Sequence, residues 1–204
     1  MKTEDIEHLI EIFKKKSDNY FFESEYLAQD VFDNFKTMAF DGKLFDNQQE
    51  KKELFSKNCN RQKIIDDFFT FFKIKKNQRN YCIQTVLEEL MMNAAKQSSQ
   101  CSISAIREAP FILFQITDES GTLDKQTVLD HILKNIRQPM RPDLYSLSGA
   151  GLGLSMVYMN SLCTFIKVHK NKYTQITSLF RLDIGEVEKE TIVPSIIFFS
   201  EGFN

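Results

Sequence analysis

The chain has 204 residues, 42% of them hydrophobic and 26% charged, which is an ordinary globular balance and enough for one domain plus an appendage. A chain of this size buries roughly 70% of its unfolded surface and needs no disulfide or metal staple. A formal net charge of −2 excludes the electrostatic footprint of a nucleic-acid or anionic-membrane binder.

Residues Met1 to Asp5 lack the apolar run of a signal peptide, and no apolar stretch approaches the roughly 18 residues of a membrane helix. The four cysteines (Cys59, Cys82, Cys101, Cys163) form no CxxC pair and have no histidine at ligand spacing. They read as reduced thiols and not as a zinc site. The expectation is a soluble, cytoplasmic protein with no membrane contact. Ile6, Leu9, Ile10 and Phe13 share one face of a helix over 5–15. Leu27, Val31, Phe32, Phe35 and Met38 share one face of a second over 24–39, with Ser24 as its cap. The polar run Asp41 to Lys52 marks a boundary. It divides a helical N-terminal extension (1–50) from a domain (51–185), which a tail (186–204) follows.

Within the domain, Leu54-Phe55 is a short strand candidate and residues 61–73 are helical through Ile64, Ile65, Phe68, Phe69 and Phe72. Residues 78–97 carry the strongest helical pattern: Ile83, Val86, Leu87, Leu90, Met91 and Ala94. Cys101–Arg107 and Phe111–Thr117 are strands joined by Glu-Ala-Pro. Residues 122–148 are irregular, with a helical piece at Val128–Ile136 and prolines at Pro139 and Pro142. A helix over 152–162 and two strands, 163–169 and 173–182, follow, with a turn at Asn171-Lys172. The tail is acidic and then apolar at Ile196-Ile197-Phe198-Phe199. This order predicts an α/β fold in which helices cover a mostly antiparallel sheet in two layers.

Three clusters carry chemistry. On the 78–97 helix, Glu89, Asn93 and Lys96 fall within roughly 60° of one another on the helical wheel. An amide oxygen can ligate a hard cation, a carboxylate can take a proton, and an ammonium can meet phosphate oxygens. An ordinary solvated helix face carries the same stripe. Asp118-Glu119-Ser120-Gly121 ends a strand. It reads as a turn, or as a carboxylate that accepts from a base amino group while Gly121 lets the base lie close. Gly149-Ala150-Gly151-Leu152-Gly153-Leu154 holds three of the seven glycines and leads into a helix whose free N–H groups suit phosphate. It is neither a Walker loop nor a dinucleotide fingerprint, since the following Lys-Ser/Thr and the preceding strand are both missing.

In their order and spacing, the three clusters resemble the superfamily that joins gyrases, large ATP-binding chaperones, sensor histidine kinases and anti-sigma-factor kinases. Val86 to Lys96 resembles its Asn box, Ile116 to Gly121 its first Gly box, and Ser148 to Leu154 its second. The resemblance covers about residues 52–183. It implies a two-layer α/β sandwich of the Bergerat type that binds ATP with Mg²⁺. By position, Asn93 would ligate Mg²⁺, and Lys96 would belong to the ATP site. Asp118 would recognise adenine, with Gly121 completing its loop. Gly149, Gly151 and Gly153, with Leu152 and Leu154, would cradle phosphate and hinge a lid over 122–148. Thr174 would lie near adenine, although Tyr173 precedes it where the family has Gly.

Glu89 stands four residues before Asn93, where the commonest histidine kinases carry Asn and the anti-sigma serine kinases carry Glu as general base. A hydroxyl or water acceptor needs such a base. The expected function is a regulatory kinase that transfers the ATP γ-phosphate to a partner protein Ser/Thr. Two alternatives stay open: a histidine-kinase-type domain acting on a His in trans, and a non-catalytic ATP-responsive switch. A partner protein, as regulator or phosphoacceptor, is expected. The extension 1–50 reads equally as a dimerisation or docking arm and as a cover for one sheet edge or face, so a homodimer stays open. His8, His131 and His169 lack the surroundings of a phosphoacceptor box. Gyrase-like and chaperone-like readings rank low, because both need long additional domains.

Overall fold

The computed structural model describes residues 49–75, 77–108, 110–137, 152–183 and 195–201. The helices expected over 5–15 and 24–39, with Ser24, lie outside the described residues. In chain order the elements are β1 (Gln49–Phe55), α1 (Arg61–Phe71), α2 (Gln78–Gln97), β2 (Cys101–Glu108) and β3 (Phe111–Asp118). Then come α3 (Lys125–Arg137), α4 (Leu152–Asn160), β4 (Cys163–His169), β5 (Tyr173–Arg181) and β6 (Ser195–Glu201). Polar side chains start three of the helices by taking up backbone N–H groups that no helical carbonyl can reach. Asn60 Oδ1 accepts from Lys63 N at 3.0 Å, and Asn77 Oδ1 from Asn80 N at 2.9 Å. Asp124 accepts from both Thr127 N and Thr127 Oγ1 at 2.8 Å, which begins α3 three residues earlier than the apolar spacing predicts.

The strands form one mixed six-stranded sheet in the order β1-β2-β3-β5-β4-β6. Every neighbouring pair is antiparallel except β4 and β6, which run parallel. With four helices among the described residues, the architecture is α/β. No helix among them is long and apolar enough to cross a membrane.

Two boundaries differ from the expected ones. Gln49–Lys52, at the end of the polar run, pairs with β2 from Arg107 to Ser104, so the sheet begins inside the stretch that marks the expected boundary. The charged run Glu50-Lys51-Lys52-Glu53 suits an edge strand, where charge discourages pairing with other chains. At the other end, Ser195–Glu201 is not appended tail but a strand alongside β4, with Ile196, Ile197 and Phe198 buried. An apolar run bounded by polar residues is compatible with a buried strand, and pairing with β4 completes it.

Period-two alternation aims one row of each strand at the helices. In β3 that row is Ile112, Phe114, Ile116 and Asp118; in β5 it is Thr174, Ile176, Ser178 and Phe180, matched across the ladder as Asp118↔Thr174 and Ile116↔Ile176. Helix α2 lays Ile83, Val86, Leu87, Leu90, Met91 and Ala94 on this layer, and α1 adds Ile64, Ile65, Phe68 and Phe69. A second cluster joins Val128, Leu129 and Ile132 of α3 to Tyr158, Ile166, Val168, Ile196 and Phe198. The opposite sheet face is also buried at Ile106, Leu113, Phe165, Leu179 and Ile197, and none of these belongs to either helix-covered cluster. The expected two layers therefore account for one face of the sheet.

Phe114 anchors the first cluster: it is 1% exposed, with its ring centroid 6.2 Å from those of both Phe68 and Phe180. Phe114→Ala is expected to cost about 3–5 kcal/mol in a urea unfolding titration, the range for deleting a buried aromatic ring. A loss below about 1 kcal/mol would contradict this packing.

Candidate functional site

The period-two row that builds the core of β3 ends on a carboxylate. Asp118 is 7% exposed and stands at the bottom of a cleft between α2, α3 and the sheet. Its Oδ1 accepts from Ser120 N at 2.9 Å and from Ser120 Oγ. Its Oδ2 accepts no hydrogen bond among the described residues. Burial pushes the carboxyl above the usual carboxylate range, and the two Ser120 hydrogen bonds oppose that shift. The adjacent Cys101, paired in register with Asp118, has its thiol pushed up to about 11, first by burial and then by the Asp118 charge.

Across the ladder from Asp118, Thr174 is 3% exposed. Its Oγ1 is buried with no hydrogen-bond partner among the described residues. A buried hydroxyl left unpaired is costly, and Thr174 is part of the cleft lining. The cleft has a volume of about 320 Å³. That lies within the range of small-ligand sites. Its floor is Ile116, Asp118, Thr174 and Ile176, and one wall is Leu90, Asn93, Ala94 and Gln97 of α2, with Lys96 at its margin. The opposite wall is Thr127 and His131 of α3, with Leu154 of α4 and the loop residues Ser120, Thr122 and Leu123. Apolar surfaces thus flank a few convergent polar groups.

Beside Asn93, helices α2 and α4 cross closely. A methyl group at Gly153 would lie 2.6 Å from Asn93 Nδ2, 3.4 Å from Glu89 Cβ and 3.7 Å from Glu89 Oε2. Glycine at that point is what lets the two polar side chains of α2 lie against the first turn of α4. Burial raises the Glu89 carboxyl above its ordinary value; Lys96 and Arg61 oppose this and Glu88 adds to it.

The fold brings five of the sequence-predicted residues into one cleft: Asn93, Lys96, Asp118, Leu154 and Thr174. Glu89 and Gly153 meet at the adjoining helix crossing and do not line the cleft itself. Gly121, unlike its neighbour Ser120, is not among the residues that line the cleft. It has φ 58°, and a methyl group there would lie 2.1 Å from the His169 carbonyl oxygen, so the residue is needed for its contact with the β4–β5 turn. Leu152 opens α4. Its side chain, like Gly149 and Gly151, lies outside the described residues. The segment expected to be a lid, 122–148, is helical over Lys125–Arg137 and lends Thr127 and His131 to the wall. That wall was missed, although Thr127 and His131 stand at i,i+4 on one helix face, the spacing that makes neighbours.

Among the described residues no cluster of three or more His, Cys, Asp or Glu could hold a metal by itself. A cation at Asn93 would therefore need oxygens from a ligand, as Mg²⁺ commonly takes from phosphates. No protein-family model matches the chain, and no curated protein matches it.

The raised Asp118 carboxyl has a defined consequence for stability. The folded state binds this proton more tightly than the unfolded state, so ionised Asp118 costs stability above its folded pKa. That cost fades as pH falls toward the ordinary carboxylate value. Asp118→Asn keeps an oxygen for the Ser120 donors and is expected to raise Tm by a few degrees at pH 7, with the gain vanishing near pH 4. A lower Tm for Asp118→Asn at pH 7 would contradict this burial cost.

Proposed function

We propose that the chain binds Mg-ATP in this cleft and transfers the γ-phosphate to a Ser or Thr hydroxyl of a partner protein, as a regulatory kinase resembling anti-sigma serine kinases on a Bergerat-type fold. The observation that carries the reading is the buried Thr174 Oγ1, which has no hydrogen-bond partner among the described residues, across the ladder from Asp118 in a cleft whose α2 wall carries Asn93 and Lys96. A base with an exocyclic amino group would donate to Asp118, and Thr174 would pair with the same ring edge. Leu90, Ile116 and Ile176 supply apolar surface for its faces. Toward the α4 crossing, Asn93 would hold Mg²⁺ through its amide oxygen and Lys96 would meet phosphate oxygens. Magnesium supplies charge neutralisation at the phosphates when bound.

Glu89 would take the proton of the attacking hydroxyl. It is half-buried, beside Asn93, and its raised carboxyl makes a stronger base than a solvated one. One observation favours a second reading, an ATP-responsive switch with little turnover: Glu89 faces the α2–α4 crossing and does not line the cleft.

Calorimetric titration with a non-hydrolysable ATP analogue and Mg²⁺ is expected to give saturable binding, weakened at least about tenfold by Asn93→Ala and by Asp118→Asn. Binding unchanged in both variants, or none at millimolar nucleotide, would remove the nucleotide site. Glu89→Gln separates the two readings. As a kinase it should lose about 100-fold or more in phosphoryl transfer while binding ATP normally. Unaltered transfer would remove Glu89 as the base.

Gly153→Ala gives a further test. Alanine loses less backbone freedom on folding than glycine, and the nearest obstacle is the mobile end of the Asn93 side chain. Unfolding stability is therefore expected to hold or rise, while Mg²⁺-dependent binding falls at least about tenfold. Unchanged binding would show that Asn93 needs no glycine opposite it.

A further inference from the structure

Residues outside the cleft lining pack against the corner that holds Asp118. Gly121 turns the chain away from Asp118 in the left-handed region, at φ 58°. Its carbonyl accepts from Asn171 N at 3.2 Å, at the tip of the β4–β5 turn. The contact has no slack, because a methyl group at Gly121 would lie 2.1 Å from His169 O and 2.7 Å from both Asn171 N and Lys172 N. The turn is itself constrained: Lys172 N donates to His169 O at 3.0 Å, and Asn171 adopts φ 58°, a conformation its short polar side chain tolerates.

That turn is fastened in its turn to the end of strand β6. His169 Nδ1 lies 3.0 Å from Glu201 Oε2. A carboxylate only accepts, so the Nδ1–H tautomer donates. Lys170 N donates to the Glu201 carbonyl at 3.0 Å, and the His169 ring stacks on Tyr173 at 5.7 Å. Tyr173 immediately precedes Thr174. The chain of contacts runs from Glu201 through His169 to the turn, then through Gly121 to Ser120 and Asp118 on one branch and through Tyr173 to Thr174 on the other.

We infer that His169 and Glu201 are positioning residues for base recognition: their clasp holds the β4–β5 turn against Gly121 and so sets Asp118 and Thr174 at the spacing that reads one ring edge. Strand β6 is one of the two edge strands among the described residues and follows β5 by a stretch of 13 residues, 182–194. Its docking on β4 completes a site to which it contributes no contact. The clasp acts on the base end of the cleft and leaves the Asn93–Gly153 end untouched. The choice of ligand here rests on the nucleotide reading, whereas the mechanical coupling does not.

The test uses the full chain with Glu201→Ala, Glu201→Gln and His169→Phe. Glutamine keeps an oxygen for Nδ1–H, and phenylalanine keeps the stack on Tyr173 while deleting the hydrogen bond. Amide hydrogen exchange is read at Asn171 and Ser120, and calorimetric affinity is read for a Mg-bound non-hydrolysable ATP analogue and for Mg-tripolyphosphate. Glu201→Ala and His169→Phe should speed exchange at both amides and weaken the analogue about tenfold, with tripolyphosphate affinity unchanged and Glu201→Gln near the native values. Unchanged exchange in both disrupting variants overturns the inference. So does an equal loss of the analogue and tripolyphosphate, which would mark a general loss of structure. Faster exchange in a protein that binds no analogue upholds the clasp and refutes the nucleotide reading.

Discussion

The site depends on a carboxylate placed where an apolar side chain belongs. The row Ile112, Phe114, Ile116 continues into Asp118, so the same alternation that builds the core drives a charge under α2. Ser120 supplies two hydrogen bonds to one oxygen, which holds the group in place in the cleft lining. Burial of this kind costs stability unless something answers it, and the Thr174 hydroxyl across the ladder, with no partner among the described residues, adds to the same deficit. A ligand that donates to one and pairs with the other would relieve both. Local cost without a local gain is the expected mark of a functional position.

The remaining walls follow from ordinary packing. Helix α2 turns its apolar stripe to the sheet, and that orientation places Asn93 at the flank of the stripe, facing the first turn of α4. Gly153 makes the approach close. Helix α3, started by Asp124, closes the cleft with Thr127 and His131 while its apolar side packs on α4 and the β4–β6 end of the sheet. The two ends of the cleft are thus supported separately, one by the turn at residues 169–172 and the other by the helix crossing.

Much of this was legible in the sequence because its determinants are local. The spacing of Ile83, Val86, Leu87, Leu90, Met91 and Ala94 gives α2 over the observed range, and the strand alternation gives β2 to β5 within one or two residues. Asn93, Lys96, Asp118, Leu154 and Thr174 come from four separate segments, yet they converge on one cleft. What was not legible depends on pairing at long range. Gln49–Lys52 reads as a polar boundary until β2 is beside it, and Ser195–Glu201 reads as a tail until β4 is. Gly121 meets two demands, its own φ of 58° and a close approach to His169, and only the second, which comes from 48 positions on, has no signal near residue 121. Buried residues on the far side of the sheet, Leu113 and Leu179 among them, carry no signal that distinguishes one covered face from two.

The most direct test of the central claim is a heteronuclear spectrum of the protein titrated with a non-hydrolysable ATP analogue, with and without Mg²⁺. The account predicts large shifts at the Ser120 and Thr174 amides in both titrations and a shift of the Asn93 side-chain amide only when Mg²⁺ is present. Shifts confined to other surfaces, or an Asn93 signal indifferent to Mg²⁺, would contradict the assignment of the cleft to Mg-ATP.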